Sequence, residues 1–397
     1  MRVSDQAFID DPYPTFAAMR AEAPVQWSDE LGMYVALSYD AVSQVLRTRT
    51  LGRIWEDFAP GSAFEQINLI HRHALLEMEP PDHTRLRRLV ATAFSRGHVE
   101  RLRPRVAALA AELADDVADA GSGGSAVDLL SVYAEPLPVA VIGELLGVPR
   151  DDWPLLRPWS NAIVKMYEYD RSPESDAAAE QAASEFAGYL RELAAVRRTR
   201  LGDDLISDLL RVQDADGQKV TDDELIATGI LLLNAGHEAT VNTTGNGLAA
   251  LLQRPDQLTT VREGLSDPAV IAAAGEEMLR FDGPLQLFER TATAPTEIAG
   301  TTIEAGQKIA ALLGSANHDP AVFADPAAMD VTRDPNPHVG FGLGIHFCLG
   351  APLARVEIQT SLQTLLARFP ALRLAAEPRH RPEFVIRGLE QLQVTTR

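Results

Sequence analysis

The chain has 397 residues, a formal net charge of −20 and a single cysteine, Cys348. A charge this negative disfavours nonspecific binding to nucleic acid or to anionic membranes. A lone cysteine excludes an intrachain disulfide, and it is too few for a zinc or iron–sulfur cluster site. No apolar run reaches the ~18–20 residues of a membrane span, and residues 1–6 lack an apolar signal segment, so we expect a cytoplasmic protein.

Helical spacing of apolar residues dominates the chain, and short β patterns interrupt it. Ser38 and Thr221 precede helices as N-caps, and Glu224 completes a capping box with Thr221. The longest helix is apolar nearly all round over 225–233, so we expect it to be buried. The predicted helices are 13–23, 41–47, 81–94, 106–120, 180–200, 222–252, 267–281 and 352–369. The predicted strands are 33–37, short segments within 290–313 that turn at 299–300 and 305–306, 384–386 and 392–395.

The chain shows no repeat, low-complexity tract or clean domain break, and the glycine-rich segment 121–125 predicts a flexible turn rather than a linker. We therefore expect one large, mainly α domain over residues 1–397 with small β-sheets. The predicted β-rich parts are 33–55, 290–315 and 384–395, and the predicted helical parts are 80–285 and 352–369.

Cys348 could be a nucleophile or a metal ligand. A nucleophile needs a nearby base, and His346, two residues away in a glycine-containing loop, need not face it. A ligand is favoured by the helix that begins near Pro352, because free N–H groups and the helix dipole stabilise a thiolate. Gly342 and Gly344 let the loop lie against a planar group.

Residues 341–355 match in full the pattern Phe-Gly-x-Gly-x-His-x-Cys-x-Gly-x-x-Leu-Ala-Arg. In this the chain resembles the cytochrome P450 family of haem-thiolate monooxygenases. The resemblance covers nearly the whole chain and implies that family's triangular haem-binding domain. It also implies that Cys348 is the axial ligand of the iron of haem b, where a thiolate favours O–O cleavage, and that Phe341 lies beside the haem.

Further residues match other parts of the family pattern. Glu277 and Arg280 match Glu-x-x-Arg and share a helix face; together with Arg333 they resemble the family's buried Glu/Arg/Arg cluster, which supports the fold and not the chemistry. The haem propionates need cationic or hydrogen-bonding partners. The resemblance implies four of them: His83, Arg87, Arg290 and His346.

The long helix contains AGHEAT at 235–240, which resembles the family's Ala-Gly-x-Asp/Glu-Thr-Thr. The small pair Ala235-Gly236 would let the helix bulge and leave room for dioxygen, the implied co-substrate. Glu238 is implied to relay protons. Ala239 replaces the first threonine of the pattern, and Thr240 cannot substitute because one residue is ~100° around the helix. Thr243, one turn on, could hold a water only indirectly.

The alanine at this position leaves three outcomes open. A substrate hydroxyl or carboxyl could supply the missing hydrogen bond, electron flow could couple poorly to product, or the enzyme could run an atypical oxidation such as phenol coupling or a rearrangement. We favour substrate assistance.

The reaction needs electrons from another protein, because the chain has no cluster cysteines and its Gly-x-Gly-x-x-Ala string at 245–250 lies in a helix with no strand before it. The expected partners are a ferredoxin and a ferredoxin reductase, and we expect a monomer. An acidic ferredoxin would need a local basic patch on this acidic protein. Four arginines are candidates for that patch, and the alternative is that they form internal salt bridges. The candidates are Arg85, Arg88, Arg96 and Arg355.

The resemblance implies a pocket for a small apolar or aromatic substrate, which we expect to be hydroxylated or epoxidised in natural-product tailoring. Its implied segments are 53–70, 162–169, 231–239 with 285–288, and 389–392. The apolar candidates are Trp55, Met166, Tyr167, Leu287 and Phe288, and the polar ones are Lys165, Glu168 and Gln286.

Three rival functions compete with this one. A haem sensor or carrier without turnover would be consistent with the missing threonine. A peroxide-driven oxygenase would make product from added peroxide alone. A cysteine-nucleophile enzyme would be colourless.

Overall fold

The computed structural model describes the whole chain except residues 92, 93, 95 and 216–219. The described residues are mostly helical, and they divide into two compact units. Unit 1 comprises Met1–Gly52, Pro104–Pro136 and Ala239–Arg397, and unit 2 comprises Arg53–Arg103 and Leu137–Glu238. All the strands of the described residues lie in unit 1.

The helices and strands follow in chain order. The helices are α1 Gln6–Asp10, α2 Tyr13–Glu22, α3 Tyr39–Arg47, α4 Glu65–His73, α5 Asp82–Val90, α6 Arg96–Ala120, α7 Pro136–Leu146, α8 Trp153–Val164, α9 Pro173–Thr199, α10 Leu205–Ala215, α11 Asp222–Leu252, α12 Pro255–Glu263, α13 Pro268–Phe281, α14 Leu313–Ala316 and α15 Ala351–Arg368. The strands are β1 Val25–Ser28, β2 Met33–Ala36, β3 Leu51–Gly52, β4 Val127–Asp128, β5 Leu287–Ala292, β6 Thr296–Ile298, β7 Thr301–Ile303, β8 Lys308–Leu312, β9 Arg373–Leu374, β10 Arg379–His380, β11 Leu389–Gln391 and β12 Gln393–Thr395.

Unit 1 is built on a five-stranded sheet in the order β1-β2-β8-β5-β3. Its strands pair antiparallel except β2 with β8, which are parallel. The apolar face of α3 packs on this sheet through Val42, Val45 and Leu46, in a core that includes Ile309 of β8. The sheet therefore fixes α3 and β5, the two elements against which the candidate site is built.

Unit 2 contains helices only among its described residues. Its longest helix, α9, is capped by Ser172, whose hydroxyl accepts the N–H of Ser175. α8 packs along α9, where the rings of Trp159 and Phe186 stack with centroids 5.1 Å apart.

Local patterns predicted many of these elements correctly. The helix 222–252 was predicted to the residue, and its capping box is present: Thr221 Oγ1 accepts the N–H of Glu224 over 3.1 Å, and Glu224 Oε2 accepts the N–H of Thr221 over 2.8 Å. The predicted turn at 299–300 joins β6 to β7, with positive φ at Ala299 and Gly300. Ser38 caps α3 as predicted.

Other predictions were wrong where distant contacts decide the structure. The helix predicted at 106–120 begins ten residues earlier, at Arg96, and runs through Pro104. The helix predicted at 81–94 ends at Val90, and 92 and 93 lie outside the described residues. The strand predicted at 384–386 forms only one bridge, from Ile386 to Leu285; its apolar residues are buried without a ladder, and the paired strands flank it as β10 and β11. The single domain over 1–397 stays a prediction.

Candidate active site

Cys348 lies in a tight turn, residues 341–350, that leads into α15; we call it the Cys348 turn. The N–H of Cys348 donates to the carbonyl of Phe341 over 2.9 Å and closes the turn. The side chain of Cys348 is half-buried. Because α15 begins three residues later at Ala351, the free N–H groups and the dipole of that helix favour a thiolate at this position.

The two glycines ahead of the cysteine are required by the backbone. Gly342 and Gly344 have φ of +67° and +73°, in the left-handed region that favours glycine. A Cβ on Gly344 would lie 2.3 Å from the carbonyl oxygen of Leu46 in α3, whereas one on Gly342 would lie 3.6 Å from the Phe288 ring. The turn therefore packs directly on α3 and on β5, as its glycines suggested.

β5 presents an aromatic ring and a buried cation on one face. Phe288 and Arg290 are two residues apart on this strand, so their side chains point the same way. Arg290 is 4% exposed, and its Nη1 donates to the carbonyl of Glu289 over 2.8 Å. His346 lies within the Cys348 turn, in the short 3₁₀ segment Gly344–His346.

The predicted Glu/Arg/Arg cluster is present in unit 1. Glu277 and Arg280 are fully buried on α13 and pair at 2.7 Å, and Arg333 Nε lies 3.2 Å from Glu277 Oε2. Arg280 also donates to three backbone carbonyls, those of Asn317, Pro326 and Ala328. These contacts tie α13 to the segment that precedes the Cys348 turn.

The predicted oxygen-activation segment lies in the middle of α11. A Cβ on Gly236 would lie 2.9 Å from Ile142 Cδ1 of α7, so the glycine serves close helix packing. The predicted bulge is wrong, because α11 is helical without interruption. His237 is buried with Nδ1 3.2 Å from Ser160 Oγ, and Glu238 is 5% exposed.

Residues 239–243, the next part of α11, belong to unit 1. Ala239 offers no hydroxyl, and Thr240 is buried. Thr243 Oγ1 donates to the carbonyl of Ala239 over 2.7 Å, which commits its only proton to the helix backbone. Thr243 can therefore accept a hydrogen bond from a water but not donate one.

His83 and Arg87 lie one turn apart on α5, as their spacing predicted. His83 is 2% exposed, and Arg87 is half-buried. Within unit 2 they present an imidazole and a guanidinium on the same helix face.

Comparison with known proteins decides the family. The cytochrome P450 family model matches residues 165–385. The chain is 39% identical to cytochrome P450 monooxygenase PikC of Streptomyces venezuelae, over 99% of this chain and 92% of that protein. It is 37% identical to 6-deoxyerythronolide B hydroxylase of Saccharopolyspora erythraea, over 99% and 98%. This chain belongs to the cytochrome P450 family.

The solved structures agree with this assignment. The structure of P450BioI in complex with an acyl carrier protein ligated to hexadec-9Z-enoic acid superposes with a TM-score of 0.90 at 34% identity, covering 98% of this chain and 99% of that one. The predicted family, P450 fold and monooxygenase class are therefore confirmed. No helix among the described residues is long and apolar enough to cross a membrane.

The family implies a haem iron, and the residues of unit 1 fit one. Haem offers an apolar macrocycle, two anionic propionates and an iron that accepts a thiolate. The Cys348 turn supplies the only thiol of the chain, and Gly344 packs where the Leu46 carbonyl leaves no room for a side chain. Arg290 supplies a buried cation on the same strand as Phe288.

The predicted basic patch of this P450 is smaller than expected. Arg85 forms an ion pair with Glu224, and Arg355 forms one with Glu276 at 2.7 Å. Arg88 is exposed and forms no ion pair with a described residue, and the side chain of Arg96 lies outside the described part.

Unit 2 of the P450 contains a cleft of about 650 Å³. Some of its lining residues belong to the predicted substrate segment 53–70, and the others lie later in the chain, between residues 72 and 79. Trp55 stacks on His71 with ring centroids 4.1 Å apart, and Tyr167 meets the same imidazole edge-on at 5.6 Å. Burial would raise the pKa of Glu77, but the Arg53 charge and His71, whose Nδ1 lies 3.8 Å from Glu77 Oε1, lower it to about 2. The structure thus brings Trp55 and Tyr167 together around His71, which the sequence reasoning missed. The cleft is lined by Arg53, Ile54, Trp55, Glu56, Asp57, Arg72, Glu77 and Glu79.

The remaining predicted pocket residues are mostly packed inside the protein. Met166 and Glu168 are buried, and Lys165 is half-buried. Gln286 is fully buried, and its Nε2 donates to the carbonyl of Gly283 over 2.8 Å. Leu287 is 3% exposed.

Proposed function

We propose that this P450 binds haem b through Cys348 and inserts one atom of dioxygen into a small organic molecule, in the cytoplasm and as a monomer. The observation that carries the proposal is the Cys348 turn, a lone thiol held before α15 by two left-handed glycines. When bound, haem supplies the redox chemistry that activates dioxygen, and thiolate ligation favours O–O cleavage.

The other site residues receive roles that follow from their chemistry. Phe341 would contact the macrocycle. Four cationic or hydrogen-bonding side chains would hold the propionates, because each can donate to a carboxylate. They are His83, Arg87, Arg290 and His346.

A reduced, carbon-monoxide-bound absorption spectrum tests thiolate ligation directly. The wild type should show the thiolate-type band, and Cys348→Ala should lose it together with turnover. Arg290→Gln is the matched variant: it should weaken haem retention while keeping the thiolate-type band in the loaded fraction. A wild-type protein without that band would contradict the proposal.

On α11, we assign Glu238 to proton delivery and Thr240, the buried residue after Ala239, to the same segment, while Ala239 leaves the family's threonine hydroxyl absent. We propose that a hydroxyl or carboxyl of the substrate replaces that hydroxyl. The proposal is supported by Thr243, one turn on, whose hydroxyl already donates to the Ala239 carbonyl.

Ala239→Thr tests substrate assistance. The measurement is peroxide released per NAD(P)H consumed with the true substrate, and we expect little change because the substrate already supplies the hydrogen bond. A sharp fall in leakage with a rise in turnover would show that the substrate does not.

The proposed substrate class rests on an aromatic cluster and on the relatives. Trp55, in an otherwise mostly charged cleft lining, packs with Tyr167 around His71, and this aromatic surface suits a small apolar or aromatic molecule. One relative is named as a hydroxylase of 6-deoxyerythronolide B. We therefore propose hydroxylation or epoxidation in natural-product tailoring. Adding candidate substrates and recording the iron spin state tests this.

Electrons come from a ferredoxin and its reductase, which dock through the remaining basic surface. Arg88→Glu should slow reduction several-fold, and added salt should slow the wild type. Arg200→Glu, an exposed arginine at the end of α9, is the control. A reduction rate that changes neither with added salt nor with Arg88→Glu would count against this docking.

The alanine at 239 also favours a second candidate, a peroxide-driven or coupling oxidation that depends less on the missing threonine hydroxyl. Product formation from added peroxide, without any redox partner and at the full rate, would select it over the ferredoxin-dependent reaction.

A further inference from the structure

Two side chains of unit 1, Arg355 and His338, meet at Glu276, the residue before the buried Glu277. Arg355 of α15 donates two hydrogen bonds to the Glu276 carboxylate, from Nε to Oε1 and from Nη2 to Oε2, and both are 2.7 Å long. His338 Nε2 lies 3.0 Å from Oε2, while its Nδ1 accepts the N–H of Gly340 over 3.1 Å. Because Nδ1 is the acceptor, Nε2 carries the proton that is donated to Glu276.

Both partners of Glu276 contact Phe341, the first residue of the Cys348 turn. The guanidinium carbon of Arg355 lies 4.6 Å from the centre of the Phe341 ring, and the His338 ring lies 5.9 Å from it. Phe341 in turn accepts the N–H of Cys348 through its carbonyl. Contacts of this kind favour one ring orientation, so a carboxylate on α13 controls the packing of the turn.

The charges at this cluster reach the thiolate as well. Burial alone would raise the pKa of Glu276, but the hydrogen bonds from Arg355 and His338 lower it to about 2, so it is ionised at neutral pH. The hydrogen bonds that Arg355 donates to Glu276 raise the pKa of Arg355, and the Cys348 charge raises it further. Arg355 therefore attracts the thiolate, and Glu276 cancels part of that attraction.

We propose that Glu276 is a positioning residue that sets how strongly the Cys348 thiolate donates to bound haem iron. It does so by holding Arg355 over Phe341 and by partly cancelling the Arg355 charge. The proposal rests on the proposed function, because it assumes that Cys348 is the iron ligand.

The charges predict shifts of opposite sign in the reduction potential. Glu276→Gln leaves the Arg355 charge uncancelled beside the thiolate, which favours the reduced iron. The ferrous-to-ferric ratio at a fixed potential should rise by up to about tenfold, which is about 59 mV for a one-electron couple. Arg355→Gln removes the positive charge and should lower the ratio. The double variant should lie close to the wild type.

Redox titration of the haem-loaded protein tests this, together with the reduced carbon-monoxide spectrum of each variant. Glu304→Gln is the control, since it removes the same charge from an exposed turn of unit 1 and should leave the potential unchanged. Glu276→Asp keeps the charge but shortens its reach, so it separates charge from positioning. If Glu276→Gln does not retain haem, Arg355→Gln still tests the sign.

The outcomes separate this proposal from the function on which it rests. Opposite shifts in variants that keep the thiolate-type band support it. Shifts of the same sign, or none, with that band intact overturn the role of Glu276 and leave the proposed function standing. Absence of the band in the wild type overturns both.

Discussion

The Cys348 turn and the segment 235–243 of α11 are constrained in opposite ways. The turn depends on its backbone: two glycines have positive φ, and a Cβ on Gly344 would collide with α3. The α11 segment has a regular helical backbone that most residue types accept. A matching sequence therefore implies a matching geometry at the turn, whereas in α11 a single side chain changes the available hydrogen bonds and leaves the fold intact.

That difference explains why Ala239 is compatible with a full P450 fold. The helix loses no backbone contact when threonine becomes alanine. The hydroxyl it loses matters only to the chemistry, and the proton of the Thr243 hydroxyl, one turn on, is committed to the Ala239 carbonyl. Substitutions in the Cys348 turn and in α15 should therefore change the stability of the fold strongly, and substitutions in α11 should change it little.

The largest effect should come from Glu357 on α15, which is 2% exposed and whose Oε2 has no hydrogen-bond partner among the described residues. Burial raises its pKa to about 8. Between pH 4.5 and 8 the unfolded chain releases this proton and the folded chain keeps it, so stability falls as the pH rises, by about 1.4 kcal/mol per unit. Glu357→Gln should remove the penalty and be more stable by about 4 kcal/mol at pH 8 and by little at pH 4.

Urea midpoints across this pH range measure that difference. Glu390→Gln, an exposed carboxyl on β11, is the control and should show no such pH-dependent gain. A gain from Glu357→Gln that is the same at pH 4 and pH 8 would mean that folding does not raise the pKa of the Glu357 carboxyl.

The next effect concerns the turn itself. Gly344→Ala forces a Cβ to within 2.3 Å of a backbone oxygen at positive φ, and we expect a loss of about 3 kcal/mol with reduced haem retention. Gly342→Ala carries the same backbone strain but only an ordinary contact with Phe288, so it should cost about 1 kcal/mol. Equal losses in the two variants would show that strain, and not the collision with α3, limits the turn.

The sequence predicted features that neighbouring residues decide, and it missed features that contacts between distant parts of the chain decide. The caps at Ser38 and Thr221 lie next to their helices, so their residues alone revealed them. The path of α6 through Pro104 and the single β-bridge at 384–386 are decided by tertiary packing, which no local pattern contains. At the site, the pattern located Cys348, but the pairing of Arg355 with Glu276 requires knowing that α13 and α15 are adjacent.

The smallest expected effect is that of Thr243→Val on α11. Valine keeps the shape of threonine and removes one hydrogen bond to the Ala239 carbonyl, so stability should change by less than about 1 kcal/mol. Because the hydroxyl proton is already committed to that carbonyl, peroxide released per NAD(P)H should also stay near the wild-type value. Thr243→Ser, which keeps the hydroxyl, is the matched control. Suppose instead that peroxide release rises several-fold with valine but not with serine. Thr243 would then hold a water by accepting a hydrogen bond from it, and this hydroxyl would take the role of the threonine that is missing at position 239.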